Sequence, residues 1–527
     1  MPIDTPDWVR DAVFYQVFPD RFAASARVPK PGTMEPWDDA PTRHGFKGGD
    51  LLGIAERLPY LADLGVNALY LNPVFASASN HRYQTYDYLQ VDPLLGGDAA
   101  LRELLDAAHA LGMRVILDGV FNHTGRGFWA FHHVLENGAA SPYRDWFHFD
   151  QAALEGRRPF RPYPWPTDPV GFPDEPVPDD TDDERGDDSL RRVGYRAWWG
   201  LEALPKLNTD NPEVREHIYE VAEHWLRFGI DGWRLDVPTE IRDEGFWQEF
   251  RRRCRAVNPA AYIVGEIWHE CREWLAGDRF DAVMNYPLAQ AILGFAAQGH
   301  LDEGVVRAHH EYGRTVHRRD GAAFGAELER LMALYDPAVT AVQLNLLASH
   351  DTPRFRTMAG RDRAAYHLAV LLQATLPGAP CTYYGDEVGI EGNLDPDCRR
   401  AFPWDPSRWD QDGLAWTTAV YRVRHALPAL RRGDLQMAGA SGDGVAFVRG
   451  AAAGGRAVLV AVNAGETAIV IPLTMPALAG ATLKDVPLPG APATVQDRTL
   501  VVGAGGETAV TVAPRTGRIL VQETAGS

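Results

Sequence analysis

Eight short apolar runs, separated by longer amphipathic stretches, limit what the first four hundred residues of this chain can fold into. They are AVFYQVF (12–18), VNALYLN (66–72), RVILDGV (114–120), IDGWRLDV (230–237), AYIVGEI (261–267), FDAVMNY (280–286), LNLLASH (344–350) and PCTYYGD (380–386). Runs that stay apolar rather than alternating suit parallel strands buried on both faces. Between them, LLGIAERLPYLADLG ends at Gly65 and DAALRELLDAAHALG at Gly112, each glycine placed to stop a helix. NPEVREHIYEVAEHWLRFG opens on Asn-Pro and closes on Gly229, the start and stop signals of a third. Strand then helix, repeated eight times, predicts an α/β fold built as a (β/α)8 barrel. A six-stranded doubly wound sheet would leave two strand candidates unused.

Two stretches interrupt the alternation. Residues 124–205 lack a clear period and are rich in Pro, Trp, Phe and Asp, which predicts a subdomain inserted after the third strand. Its acidic run DEPVPDDTDDERGDD (174–188) reads as a solvated loop, because it lacks the spacing and central glycine of a calcium loop. A second insertion, about 301–341, looks helical. From 433 to 527 the texture changes to short strand-like runs (VAFVRG, AVLVAVN, AIVIPL, TLVVGA) separated by Gly, Ala and Pro, the signature of an antiparallel β-sandwich. The predicted barrel therefore occupies 1–123 and 206–432.

A net charge of −19 argues against nucleic acid as a partner, since phosphate binding needs clustered cations. No apolar stretch is long enough to span a membrane, and the N-terminus shows neither a basic nor an apolar signal region. Four cysteines (254, 271, 381 and 398) have no CxxC or zinc spacing and read as reduced thiols of a cytoplasmic protein.

In a barrel of this kind the reactive groups lie at the C-terminal ends of the strands. Those ends hold Asp118, Asn122 and His123, then Arg234 and Asp236, then Glu266, then His350 and Asp351. Acids closing otherwise apolar runs are costly to bury without a purpose. Glycoside hydrolysis needs two carboxyls, one to attack or to activate water and one to protonate the leaving oxygen. Arg234, two residues from Asp236, points to the same side and is expected to keep that carboxylate ionised. Glu266, followed by Ile267 and Trp268, has the apolar company expected to raise a proton donor.

These residues resemble the α-amylase family of glycoside hydrolases. DGVFNH (118–123), GWRLDVPTE (232–240), EIWH (266–269) and LASHD (347–351) are similar to its four signatures, in order, and LPKLN (204–208) to a fifth. The resemblance covers about residues 8–430. It implies a retaining hydrolase of α-glucan oligosaccharides with Asp236 as nucleophile, Glu266 as acid/base and Asp351 as stabiliser. It also implies that Arg234 positions the nucleophile, that His123 and His350 bond the sugar at −1, and that Tyr83 of NHRYQTYDY (80–88) lies beneath it. Thr239-Glu240, MNYP (284–287) and PGAPCTYYGDEVGIEGNLDPDCRRAFPW (377–404) resemble the cyclomaltodextrinase, neopullulanase and maltogenic amylase group. There the match implies that Asp395 and Arg399 bind sugars beyond −1, while Glu240 and Trp268 line the aglycone side.

Members of that group usually carry an N-terminal sandwich domain that helps form a dimer; here the barrel is expected to begin within the first dozen residues, so the choice between monomer and dimer stays open. The loop RFAASARVPKPG (21–32) lacks the Asn/Asp cluster that often holds calcium, and no cofactor or metal is expected. A maltodextrin glucosidase, a transglycosylase and a non-catalytic carbohydrate-binding scaffold are the alternatives on the same barrel.

Overall fold

Each apolar run supplies one strand of a single parallel sheet in the computed structural model, which describes residues 3–163, 189–241, 245–452, 455–489 and 499–523. The strands are β1 (Phe14–Val17), β2 (Ala68–Leu71), β3 (Arg114–Gly119), β4 (Gly232–Leu235), β5 (Tyr262–Gly265), β6 (Ala282–Val283), β7 (Leu344–Leu346) and β8 (Ala379–Tyr383). Their order is β6-β5-β4-β3-β2-β1-β8-β7, every pair parallel. A parallel bridge between Met284 and Leu344, with the Asn285 N–H on the Leu344 carbonyl at 2.8 Å, joins the two remaining edges. The result is a (β/α)8 barrel. Apart from Arg114 at the first position of β3, every strand residue is buried. Helices cover one face and side chains fill the other, which is why the runs are continuously apolar.

The helix signals act as their chemistry requires. Asn211 caps the helix Pro212–Phe228 by accepting from the Glu213 N–H, and Gly229 ends it at φ +114. The stretch 51–65 is not one helix but two, Leu51–Glu56 and Leu58–Leu64, with Arg57 outside helical geometry between them. Pro59 accounts for the break, since it has no N–H for the first helix to use and suits the first turn of a new one.

After β3 the chain leaves the barrel through short helices, Trp129–Asn137, Gln151–Leu154 and Ser189–Val193, held by a cluster of Phe131, Phe147, Phe149 and Tyr195. It returns through antiparallel bridges Ala197–Pro205, His123–Lys206 and Phe147–Leu207. The acidic run 174–188 lies outside the described residues. Between β6 and β7 the chain is helical, with segments Tyr286–Ala296, Glu303–Ala308, His310–Thr315, Gly321–Met332 and Pro337–Thr340.

Beyond Leu435 all pairings are antiparallel. A six-stranded sheet faces a ribbon of Ile469–Thr474 and Glu507–Val512, and a second core containing Leu459, Ile471, Leu473, Val510 and Leu520 fills the β-sandwich. Arg449, buried in this sandwich, donates to the carbonyls of Thr375 and Gly433 and so pins the sheet to the barrel.

Strand β4, which carries Arg234 and leads into Asp236, tolerates no extra atom at its first residue. A Cβ at Gly232 would lie 2.1 Å from the Tyr262 carbonyl of β5. Gly232→Ala is expected to destabilise the fold by about 3 kcal/mol, as overpacking does, read as a lower midpoint in chemical denaturation.

Candidate active site

The barrel's own hydrogen bonds set the acids side by side. The Asp236 N–H donates to the Gly119 carbonyl at the end of β3, and the Glu266 N–H to the Leu235 carbonyl at the end of β4. Asp236 and Glu266 thus follow adjacent strands at the same level. Arg234, fully buried, points into the same space. Its Nη1 donates to Asp118 Oδ1 and Oδ2 (2.9 and 3.0 Å) and to Asp236 Oδ1 (3.1 Å), and its Nη2 lies 2.9 Å from Glu266 Oε2. Asp118 also accepts the hydroxyls of Tyr70 and Tyr83, each at 2.8 Å.

Val237 follows Asp236 at φ +35, a left-handed conformation strained for a β-branched residue. That turn lets its N–H donate to Glu266 Oε2 at 3.1 Å.

Electrostatics correct one expectation. Arg234 does not by itself hold Asp236 ionised. Burial, with the negative charge of Glu266 next, pushes the Asp236 carboxyl well above its ordinary value, and the guanidinium only opposes this. Burial raises Glu266 as well, again against Arg234. Two buried carboxyls on one cation keep a proton between them that separate exposed acids would lose. Asp351 goes the other way: burial works to raise it, but His350, Arg399 and Arg234 outweigh burial and hold it ionised.

The other expected residues surround this group. Tyr83 places its hydroxyl 2.6 Å from His350 Nε2 and accepts from Asn72 Nδ2 at 2.9 Å. Gln16 Nε2 sits 2.9 Å from His350 Nδ1, which leaves Nε2 facing Asp351 Oδ2, also at 2.9 Å. His123 stacks on Trp198 (centroids 4.9 Å apart, planes 6° apart), and burial lowers its imidazole to about 3, so it is neutral. His123 Nε2 and Asn122 Oδ1 are buried polar atoms in this group. Arg399 bonds the His350 carbonyl (2.8 Å) and Asp351 Oδ1 (3.1 Å) and pairs at 3.1 Å with Asp395, which lies on the exposed rim. Glu240 and Trp268 sit outside this network: Glu240 pairs with Lys206 at 3.3 Å, and Trp268 stacks on Tyr286 at 3.7 Å.

Tyr70, Gln16 and Asn72 were not among the expected site residues, and Asp118 was expected at a strand end without a role. Gln16 and Asp118 left a signal, being polar within apolar strands. Tyr70 did not, since tyrosine is ordinary in a strand. Among the described residues no group of three or more His, Cys, Asp or Glu is placed to hold a metal ion, and no helix is long and apolar enough to cross a membrane. In the loop after β1, the Lys30 ammonium bridges Asp50 (3.0 Å) and the Leu94 carbonyl (2.7 Å).

Residues 16–420 match the α-amylase catalytic domain. The chain belongs to the α-amylase family. Within the family it is 40% identical to a cyclomaltodextrinase of Geobacillus thermopakistaniensis over 90% of its own length and 72% of that protein's. It is 42% identical to neopullulanase 2 of Thermoactinomyces vulgaris, over 82% of this chain and 66% of that one. The chain thus spans about two thirds of the length of these two relatives. The debranching enzyme of Nostoc punctiforme superposes with a TM-score of 0.83 at 44% identity, covering 99% of this chain and all of that one.

Two outcomes follow from the α-amylase-family site. The pH–rate profile should place both its acid and its alkaline limb above the ordinary carboxylate range, because burial raises both members of the pair. Activity should rise as the first carboxyl ionises and fall as the last shared proton leaves. Glu266→Gln, assayed on a substrate with an activated leaving group, should lose the alkaline limb; a limb that stays would assign that proton elsewhere. Asp118→Asn, which removes the negative charge facing Arg234 and one of the two acceptor oxygens shared with two tyrosines, should cut kcat by about 10²-fold, the scale of losing one preorganised electrostatic partner, in steady-state kinetics.

Proposed function

We propose that the protein is a retaining α-glucan hydrolase acting on α-1,4 glucosidic bonds, alone or together with α-1,6 bonds, of cyclodextrins, maltooligosaccharides or pullulan. The observation that carries this reading is the buried Asp236–Glu266 pair held on Arg234. Asp236, ionised, attacks the anomeric carbon while Glu266 gives its proton to the leaving oxygen; Glu266 then takes a proton from the water that releases the sugar. Asp351, held ionised by His350 and Arg399, grips ring hydroxyls and faces the positive charge that develops on the sugar. Tyr83, His123 and His350 hold the −1 sugar, Asp395 and Arg399 the sugars beyond it, and Glu240 and Trp268 the departing side. Every step uses side chains alone, so neither a cofactor nor calcium is invoked.

In this reading residues 1–123 and 206–432 form the catalytic barrel, 124–205 the inserted subdomain and 433–527 the sandwich. Four cysteines, all buried and unpaired, fit a cytoplasmic location. The names of the cyclomaltodextrinase and neopullulanase relatives support the substrate class. A second reading, α-1,6 debranching as the main activity, is favoured by the end-to-end similarity to the Nostoc punctiforme debranching enzyme.

The test is a product profile on β-cyclodextrin, pullulan, soluble starch and maltotriose, run beside Asp236→Asn and Glu266→Gln. Fastest cleavage of cyclodextrin and short oligosaccharides supports the first reading, and preferential cutting of α-1,6 bonds supports the second. Either variant should lose at least ~10³-fold in kcat with its fold intact; near-native turnover in either would remove the assignment.

A further inference from the structure

Trp268 is one ring in a column that links the departing side of the cleft to the Asp351 loop. Beneath it, Tyr286 stacks at 3.7 Å with planes 10° apart. The Tyr286 hydroxyl lies 3.3 Å from Ser349 Oγ, which accepts the Asp351 N–H at 3.2 Å. His309 is a second neighbour, its ring centroid 5.4 Å from that of Trp268 and tilted by 31°. Tyr312 closes the corner, edge-on to both His309 (5.0 Å) and Trp268 (6.4 Å). His309 and Tyr312 come from the helical insertion between β6 and β7, a segment that no signature of the family reading covers.

The His309 ring is itself fastened. As the residue preceding the helix His310–Thr315, it accepts the Tyr312 N–H on Nδ1 at 3.2 Å. An acceptor at Nδ1 requires the proton on Nε2. Burial keeps the imidazole neutral, while the nearby Asp351 carboxylate and carbonyl oppose that effect. The insertion is anchored beside the same loop, the Asp302 N–H donating to the Met358 carbonyl at 2.8 Å. Without the His309 ring, Trp268 would lose one of its three neighbouring rings, leaving Tyr286 and the edge of Tyr312.

We propose that His309 is a positioning residue: its ring fixes the plane of Trp268 against Tyr286, and thereby which sugar of an α-glucan lies on the departing side of Asp236 and Glu266. The inference rests on the α-glucan reading above and adds to it a role for the helical insertion in choosing the bond to be cut.

The experiment compares which bond of reducing-end-labelled maltopentaose is cut by the native enzyme, His309→Asn, His309→Phe and His310→Ala. Asparagine can still accept the Tyr312 N–H but offers no ring, whereas phenylalanine offers a ring but no acceptor. His309→Asn is expected to shift the ratio of cleavage at neighbouring bonds by about threefold to tenfold, the size of one lost ring contact, with a near-native melting temperature. His309→Phe should stay within about twofold of the native ratio if the ring contact is what acts. His310→Ala, at the exposed neighbouring residue whose Nδ1 lies 3.2 Å from Glu311, should match the native pattern. His309→Ser, which keeps a capping acceptor, replaces His309→Asn if that variant does not fold. An unmoved ratio in the asparagine or serine variant, or an equal shift in His309→Phe, overturns the inference. A native protein that leaves maltopentaose uncut overturns the α-1,4 reading on which the inference rests, and the inference with it.

Discussion

One buried guanidinium organises this molecule's chemistry. Arg234 has no exposed surface, yet it touches Asp118, Asp236 and Glu266 at 2.9–3.1 Å. A cation so far from water is stable only if carboxylates replace its hydration, and several carboxyls in one cavity can ionise only if a cation sits among them. Each is the condition for burying the other. Burial raises the Asp236 and Glu266 carboxyls above their ordinary values, while Asp351, supported separately by His350 and Arg399, is lowered. Neighbouring acids thereby receive different work from their surroundings rather than from their type.

The barrel supplies the precision this arrangement needs. Parallel pairing in register places Asp236 and Glu266 one residue past adjacent strands, through N–H bonds to Gly119 and Leu235. The bridge from Met284 to Leu344 then brings the Asp351 loop, far along the chain, up against them. The insertions act on the rim. The segment after β3 provides Trp198 against His123 and leads into Lys206 against Glu240, and the segment after β6 provides His309 beside Trp268. The centre can thus keep its chemistry while the rim changes what is presented to it.

Much of this was legible beforehand for a physical reason. Strands buried on both faces must be apolar along their length, so Asp118, Arg234 and Glu266 stand out wherever they appear within or at the end of such runs. Stop signals at Gly65 and Gly229 are equally local, because only the backbone conformation there demands them. Asp236 shows where such reading ends. A guanidinium two residues away suggested an ionised carboxylate, but the outcome depends on how deeply both groups are buried and on Glu266, thirty residues on. The break of the 51–65 stretch at Arg57 was legible in principle from Pro59.

From the chain alone follow the strand–helix alternation, the (β/α)8 barrel with its antiparallel sandwich, and the acids, histidines and aromatic residues gathered at the strand ends. All of these come from patterns a few residues long. Tertiary structure alone decided that Asp118 anchors Arg234, that Gln16 orients His350, and that His309 meets Trp268. Those contacts join residues tens to hundreds of positions apart, and whether they form depends on barrel closure and burial, which no short stretch of sequence contains.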